Sequence, residues 1–134
     1  MSQENVEIVT RALKAFSRRD VELLRAVNDP DVEVDWSASH GFQARVYRGF
    51  DTALGFYAEY FEVFDEIAFD IEGVTAVDDS VIVSNLARQR GRDGIEVTAH
   101  SALVFTIRDA RIIRICLYQE LDEALGAVGL AEPS

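Results

Sequence analysis

Few side chains in this sequence can move a proton or attack a carbon near neutral pH, and they are scattered. There are two histidines, His40 and His100, and one cysteine, Cys116, among 134 residues. His100 sits in the alternating run EVTAHSALVFTIR, where an imidazole can serve as acid or base near neutral pH. A satisfied structural histidine is the plainer alternative. Arg88, in NLARQRGR, can hold an enolate, carboxylate or phenolate oxygen, or it can be solvated or paired with one of the many carboxylates. Ser84 has no evident base beside it, so nucleophilic catalysis lacks support. His40 lies in the polar stretch 37–45 and reads as surface or pocket rim, and histidines so placed make a zinc centre a poor expectation. Cys116 lies inside a strand, as a small buried hydrophobe, and a single cysteine excludes an internal disulfide.

The elements that must position these groups read clearly. Residues 81–90, 96–108 and 111–119 are rich in Val, Ile, Thr, Phe and Tyr, and the breaks between them carry Gly and Asp. That is how an antiparallel meander is written. Residues 67–77 form a preceding strand and 31–36 a short one. A first helix spans about 3–18, with Val6, Val9, Leu13 and Phe16 at spacings of three and four. Asp20 caps a short second helix over 21–27. A third helix over 51–64 carries Leu54, Tyr57, Phe61 and Phe64 on one stripe, with Phe56 and Tyr60 beside it. A short amphipathic helix follows around 122–127. Helices segregated from an antiparallel sheet make the fold class α+β.

Period two decides which strand residues share a face. Taking Asp109-Ala110 as a two-residue turn places Ala102 opposite Leu117 and His100 opposite Gln119. Ala110 disfavours the positive φ of such a turn, so a longer loop with a shifted register stays open. Both faces then carry bulky apolar residues and need two covers. The chain's helices supply one, and a homodimer packed sheet to sheet is expected to supply the other.

Composition bounds the rest. With 49% hydrophobic residues and two prolines, the chain reads as one globular domain over 1–134. A net charge of −11 and a pI of about 4.5 disfavour nucleic acid and anionic lipid as partners. No run approaches the ~18 apolar residues of a membrane span. The N-terminal MSQENVEIV carries carboxylates where a signal peptide needs positive charge, so the cytoplasm is the expected location.

Three stretches, MSQENVEIVTRALKAFSRRDVELLRAVNDPDVEVDW, YRGFDTALGFY and FTIRDARIIRICLYQELDEAL, resemble the SnoaL-like branch of the nuclear-transport-factor-2-like superfamily, over residues 2–130. The resemblance implies a cone-shaped α+β fold whose strongly curved, mostly antiparallel sheet and helices enclose a pocket. Members include ketosteroid isomerases, limonene-type epoxide hydrolases, polyketide cyclases and plain binding domains, so fold does not fix activity. Aligned through DVELL, YRG and RDARI, the isomerase general base falls at Trp36 and its oxyanion Tyr at Ala12. The epoxide hydrolase Asp–Arg–Asp set falls at Ser84, Leu86 and Leu117, so neither mechanism carries over. Glu120 takes the place of an Asp that commonly ends the last strand, and it either keeps acid–base capacity or simply opens the last helix.

By the same alignment, the inward set is that of His100 together with Val34, Trp36, Ser84, Leu86 and Arg88. The implied walls are Phe16, Val34, Trp36, Tyr57 and Phe61 with Leu86, Ala102, Val104, Ile115 and Leu117. Ser84, Arg88, His100 and Gln119 are the polar few. An apolar cavity with few polar groups suits a small apolar or aromatic ligand, on which Trp36 can stack. The expected function is binding of such a molecule, with cofactor-free isomerisation, cyclisation or dehydration using His100 as proton shuttle and Arg88 as anion stabiliser. A non-enzymatic ligand-binding or dimerisation module is the alternative. Neither metal nor cofactor is expected.

Overall fold

The computed structural model describes residues 2–39, 44–91 and 93–129, so the reading of His40 falls outside the described residues. The order is α1 (Ser2–Arg18), α2 (Val21–Val27), β1 (Asn28–Asp35), β2 (Val46–Arg48), α3 (Phe50–Val63), β3 (Phe64–Val77), β4 (Ser80–Gly91), β5 (Glu96–Arg108), β6 (Arg111–Tyr118) and α4 (Leu121–Ala127). The class is α+β, with one curved six-stranded sheet ordered β2-β1-β6-β5-β4-β3. Only β1 and β6 run parallel; the other neighbours are antiparallel. Strand β2 was not expected: three residues are too few to show an alternation.

Local chemistry sets the boundaries. The Asp20 side chain accepts from the Leu23 amide at 3.1 Å and caps α2. Arg19 before it takes a left-handed φ of 59°, and its guanidinium donates to the carbonyls of Phe64 and Asp65 at 2.6 and 3.0 Å. That contact fastens the α1–α2 turn to the start of β3. Gly49, at φ 90°, supplies the backbone geometry that starts α3. Glu120 and Glu123 form a reciprocal capping box at the start of α4, so Glu120 stands at a helix N-terminus with its side chain accepting from the Glu123 amide.

The strand register differs from the expected one, for a definite reason. Asp109 and Ala110 do make a two-residue turn, both at positive φ (52° and 62°), between paired Arg108 and Arg111. Ile107 pairs with Ile112, but Thr106 then pairs with Arg114, leaving Ile113 as the extra residue of a β-bulge. A bulge shifts every later residue to the other face. Leu103 therefore faces Leu117, Phe105 faces Ile115, and Ala102 faces Tyr118.

This shift gathers the bulky residues. Val81, Val83, Leu103, Phe105, Ile115 and Leu117 are buried in one core with the apolar sides of α1 and α3. The smaller Ala102 and Val104 lie on the outer face with Ile82, under Ala124, Leu125 and Val128 of the α4 region. Part of the second cover thus comes from the chain itself. Among the described residues, no helix is long and apolar enough to cross a membrane.

Candidate ligand cavity

The inner face and the helices enclose a cavity of about 90 Å³. Helix α1 contributes Ala12, Leu13 and Phe16, and α3 contributes Phe56, Tyr57 and Tyr60. The sheet side is Phe69 of β3, Ala87 and Gln89 of β4, Ser101, Leu103 and Phe105 of β5, and Ile115 of β6. Leu24, Asn28 and Trp36 complete the lining. Larger depressions lie elsewhere, such as a groove of about 410 Å³ at Val63, Ile95 and Val97. Those three residues are about half exposed, so the groove cannot strip a ligand of its water as the buried cavity can.

Helical spacing explains the helix wall. Ala12 and Phe16, and likewise Phe56 and Tyr60, stand one turn apart and so share a face. Small Ala12 leaves room that larger residues around it frame. The rings brace one another: Phe16 meets Tyr57 edge-on at 5.0 Å, and Trp36 meets Phe56 at 5.6 Å. The Trp36 Nε1–H donates to the Tyr60 hydroxyl at 3.2 Å. Burial pushes the Tyr60 hydroxyl pKa up, partly offset by that hydrogen bond. Burial alone pushes Tyr57 up further, and both hydroxyls stay neutral at physiological pH. No Asp, Glu, His, Lys or Arg stands among the described lining residues.

The expected site residues divide into three groups. Phe16, Trp36, Tyr57 and Ile115 line the cavity. Val34 and Leu117 are buried in the core beside it, and half-buried Phe61 packs on that core against Phe16 at 5.1 Å. Gln119 is half-buried but turns to the Ala38 carbonyl, 2.7 Å from its Nε2. Ser84, Leu86, Arg88, His100, Ala102 and Val104 share the opposite face of the sheet, as their pairing shows.

Their inward placement is therefore corrected. The imidazole of His100 is exposed, with Nδ1 3.0 Å from Glu72 Oε1, and Arg88 is exposed and held bidentately by Asp70 at 2.8 and 3.0 Å. The physical cause is the bulge at Ile113. It aligns the Ile115 set of β6 with the Leu103 set of β5, so β5 and β4 present the opposite alternation to the helices. On β5 alone, Leu103, Phe105 and Ile107 are bulkier than Ala102, Val104 and Thr106. That contrast was the signal for the Leu103, Phe105 and Ser101 side facing in. Ala87 and Gln89 follow by pairing, whereas Asn28 and Leu24 carried no sequence signal.

Outside the cavity, Arg114 donates to Glu33 at 3.0 Å and to Asp35 at 3.3 Å. Burial would raise the Asp35 carboxyl, but hydrogen bonds from the Ser37 hydroxyl and amide and the nearby Arg114 charge outweigh it and hold the pKa low. Cys116 is buried on this side of the sheet and burial pushes its thiol up, which suits a packing residue rather than a nucleophile.

A family model described as the SnoaL-like domain matches residues 9–115. Among solved structures, a candidate SnoaL-like polyketide cyclase from Jannaschia sp. CCS1 superposes over 98% of this chain and 95% of its own, with a TM-score of 0.76 and 22% identity. TerC, co-crystallised with polyporic acid, superposes over 93% and 97%, at 0.76 and 19%. A Catenulispora acidiphila protein with a ketosteroid isomerase-like fold, in complex with trimethylamine, superposes over 92% and 93%, at 0.73 and 18%. At such identities these likenesses establish the fold alone. No curated protein sequence matches the chain.

Proposed function

The chain belongs to the SnoaL-like domain family, and on that premise we propose that it binds a compact, neutral, largely apolar molecule in the cavity between α1, α3 and the inner sheet face. The observation that carries this reading is the lining: buried rings and aliphatic side chains with a few uncharged polar groups. Burying an ion there would cost several kcal/mol per charge, so a neutral ligand is selected. Size narrows the class further. A cavity of about 90 Å³ admits only a compact molecule. Relatives named for complexes with polyporic acid and trimethylamine support small-molecule binding on this fold.

Isomerase- or cyclase-type turnover is the second reading, favoured by the cyclase name of the Jannaschia relative. Binding ranks first because the described lining residues include no group that titrates near neutral pH. We also propose a homodimer through the part of the outer face that α4 leaves uncovered.

A thermal-shift panel of compact neutral ring compounds tests the binding reading. Concentration-dependent stabilisation is expected, and it should vanish in Ala87→Leu, which fills the cavity from the sheet side. Stabilisation that persists in that variant, or that no compound produces, contradicts the reading.

A further inference from the structure

The cavity is lined by a deeply buried donor, the Tyr57 hydroxyl, whose hydrogen-bonding capacity goes unused among the described residues. Tyr57 is 7% exposed and lines the cavity, with its ring fixed between Phe16 at 5.0 Å and Phe56 at 5.7 Å. Its hydroxyl makes no hydrogen bond among the described residues. Two other lining donors are already engaged: the Nε1–H of half-buried Trp36 on the Tyr60 hydroxyl, and the amide of buried Asn28 on the Leu24 carbonyl at 2.9 Å. Gln89 and Ser101 are only half-buried, so water can serve them. A phenol held in an apolar cavity without a partner loses free energy relative to one in water. Native structures rarely keep such a group without a use for it.

We infer that Tyr57 is the specificity-determining hydrogen-bond donor of this cavity, and that the ligand it selects is a compact neutral molecule bearing a carbonyl-type acceptor. The inference rests on the cavity being the ligand site. Burial holds the group as a phenol, so it donates a proton to a hydrogen bond and does not act as a base. A hydrocarbon would leave the hydroxyl unpaired, and a site with an unpaired buried polar group discriminates against such a ligand. A carboxylate would meet no cation among the described lining residues and would be desolvated without compensation from them. An ammonium ion would find aromatic faces but no carboxylate, and it would leave the phenol proton without an acceptor.

The experiment titrates the full chain and Tyr57→Phe with cyclopentanone, methylenecyclopentane, cyclopentanecarboxylate and trimethylammonium, using ligand-observed NMR. Melting curves are recorded for both unliganded proteins. Cyclopentanone should bind the native chain roughly three- to tenfold more tightly than its methylene isostere, with the two ions weaker still. In Tyr57→Phe the ketone preference should disappear, while the melting temperature equals or exceeds the native one. Equal binding of ketone and alkene, a preference that survives the substitution, or tightest binding by either ion overturns the assignment. So does a Tyr57→Phe protein that melts well below the native one, since the hydroxyl would then be structural. Binding by none of the four probes removes the cavity reading itself, and this assignment with it. Binding without a ketone preference removes this assignment alone.

Discussion

Asn85 lies fully buried in the sheet, with its side-chain oxygen unpaired among the described residues and its amide nitrogen 3.4 Å from the Val83 carbonyl. Poorly satisfied buried amides cost stability, and an apolar residue of similar shape can remove that cost. Asn85→Val should therefore leave the urea midpoint unchanged or raise stability by about 1 kcal/mol. A loss above about 2 kcal/mol would mean that the amide holds the sheet together. This residue also shows why the faces of β4 were misread. In VIVSNLARQR the polar Asn85 shares its period with Val81 and Val83, while Leu86 alternates with Ser84 and Arg88. Each alternation contains both apolar and polar members, so β4 by itself fixes no inward side. The placement of His100 and Arg88 inherited that ambiguity, and pairing with β5 settles it.

At the scale of elements, the β5–β6 hairpin decides what the cavity is made of. If Ile113 is the bulge residue, deleting it leaves Thr106 opposite Arg114 and Phe105 opposite Ile115, so the faces survive. The deletion should fold and cost less than about 3 kcal/mol, as surface-proximal changes with retained packing do. In an unbulged hairpin the same deletion would turn Ile115 and Leu117 outward and forfeit roughly 3–6 kcal/mol of burial. Loss of folding would thus contradict the register. The turn makes a separate forecast. Ala110 holds φ 62°, a conformation costing an L-residue about 1–2 kcal/mol. Ala110→Gly should stabilise the protein by about 1 kcal/mol, net of glycine's extra unfolded-state freedom. A destabilised variant would place the turn elsewhere.

Helices and strands were legible because each carries its own period and its own cap, as with Asp20 before α2. The bulge was not, because one inserted residue leaves the alternation on either side of it intact. What it does leave is a mismatch of bulk: Leu103 and Phe105 on one strand against Ile115 and Leu117 on the next. The two sets share a face only if one residue is skipped.

At the scale of the whole molecule, the bulge also changes what the outer face can do. Its apolar centre lies under α4, and much of the remainder is polar: the ion pairs of Glu66 with Arg90, Asp70 with Arg88, and Arg114 with Glu33 and Asp35, beside the Glu72–His100 contact. A homodimer through this surface is expected to be weak and salt-sensitive. Sedimentation velocity should show association at low ionic strength that weakens on adding salt, and a monomer at every salt concentration would remove the dimer. The Asp35 cluster adds a pH dependence. Its carboxyl is held below 3.8 in the fold, so its contribution is complete above the unfolded-state value and is lost as pH falls through the folded one. The stability difference between the native chain and Asp35→Asn should be largest near pH 7 and shrink below about pH 4. A difference that does not change with pH would mean that the carboxylate is not what Arg114 holds.

The most direct test of the central claim is to locate a ligand by methyl-resolved NMR, with a compact neutral ketone added to the full chain. The account predicts that the Leu13, Leu103 and Ile115 methyl resonances shift with the ligand while those of Ile82 and Val104 stay in place. Shifts confined to Ile82 and Val104, on the side of the sheet that carries His100 and Arg88, would contradict it.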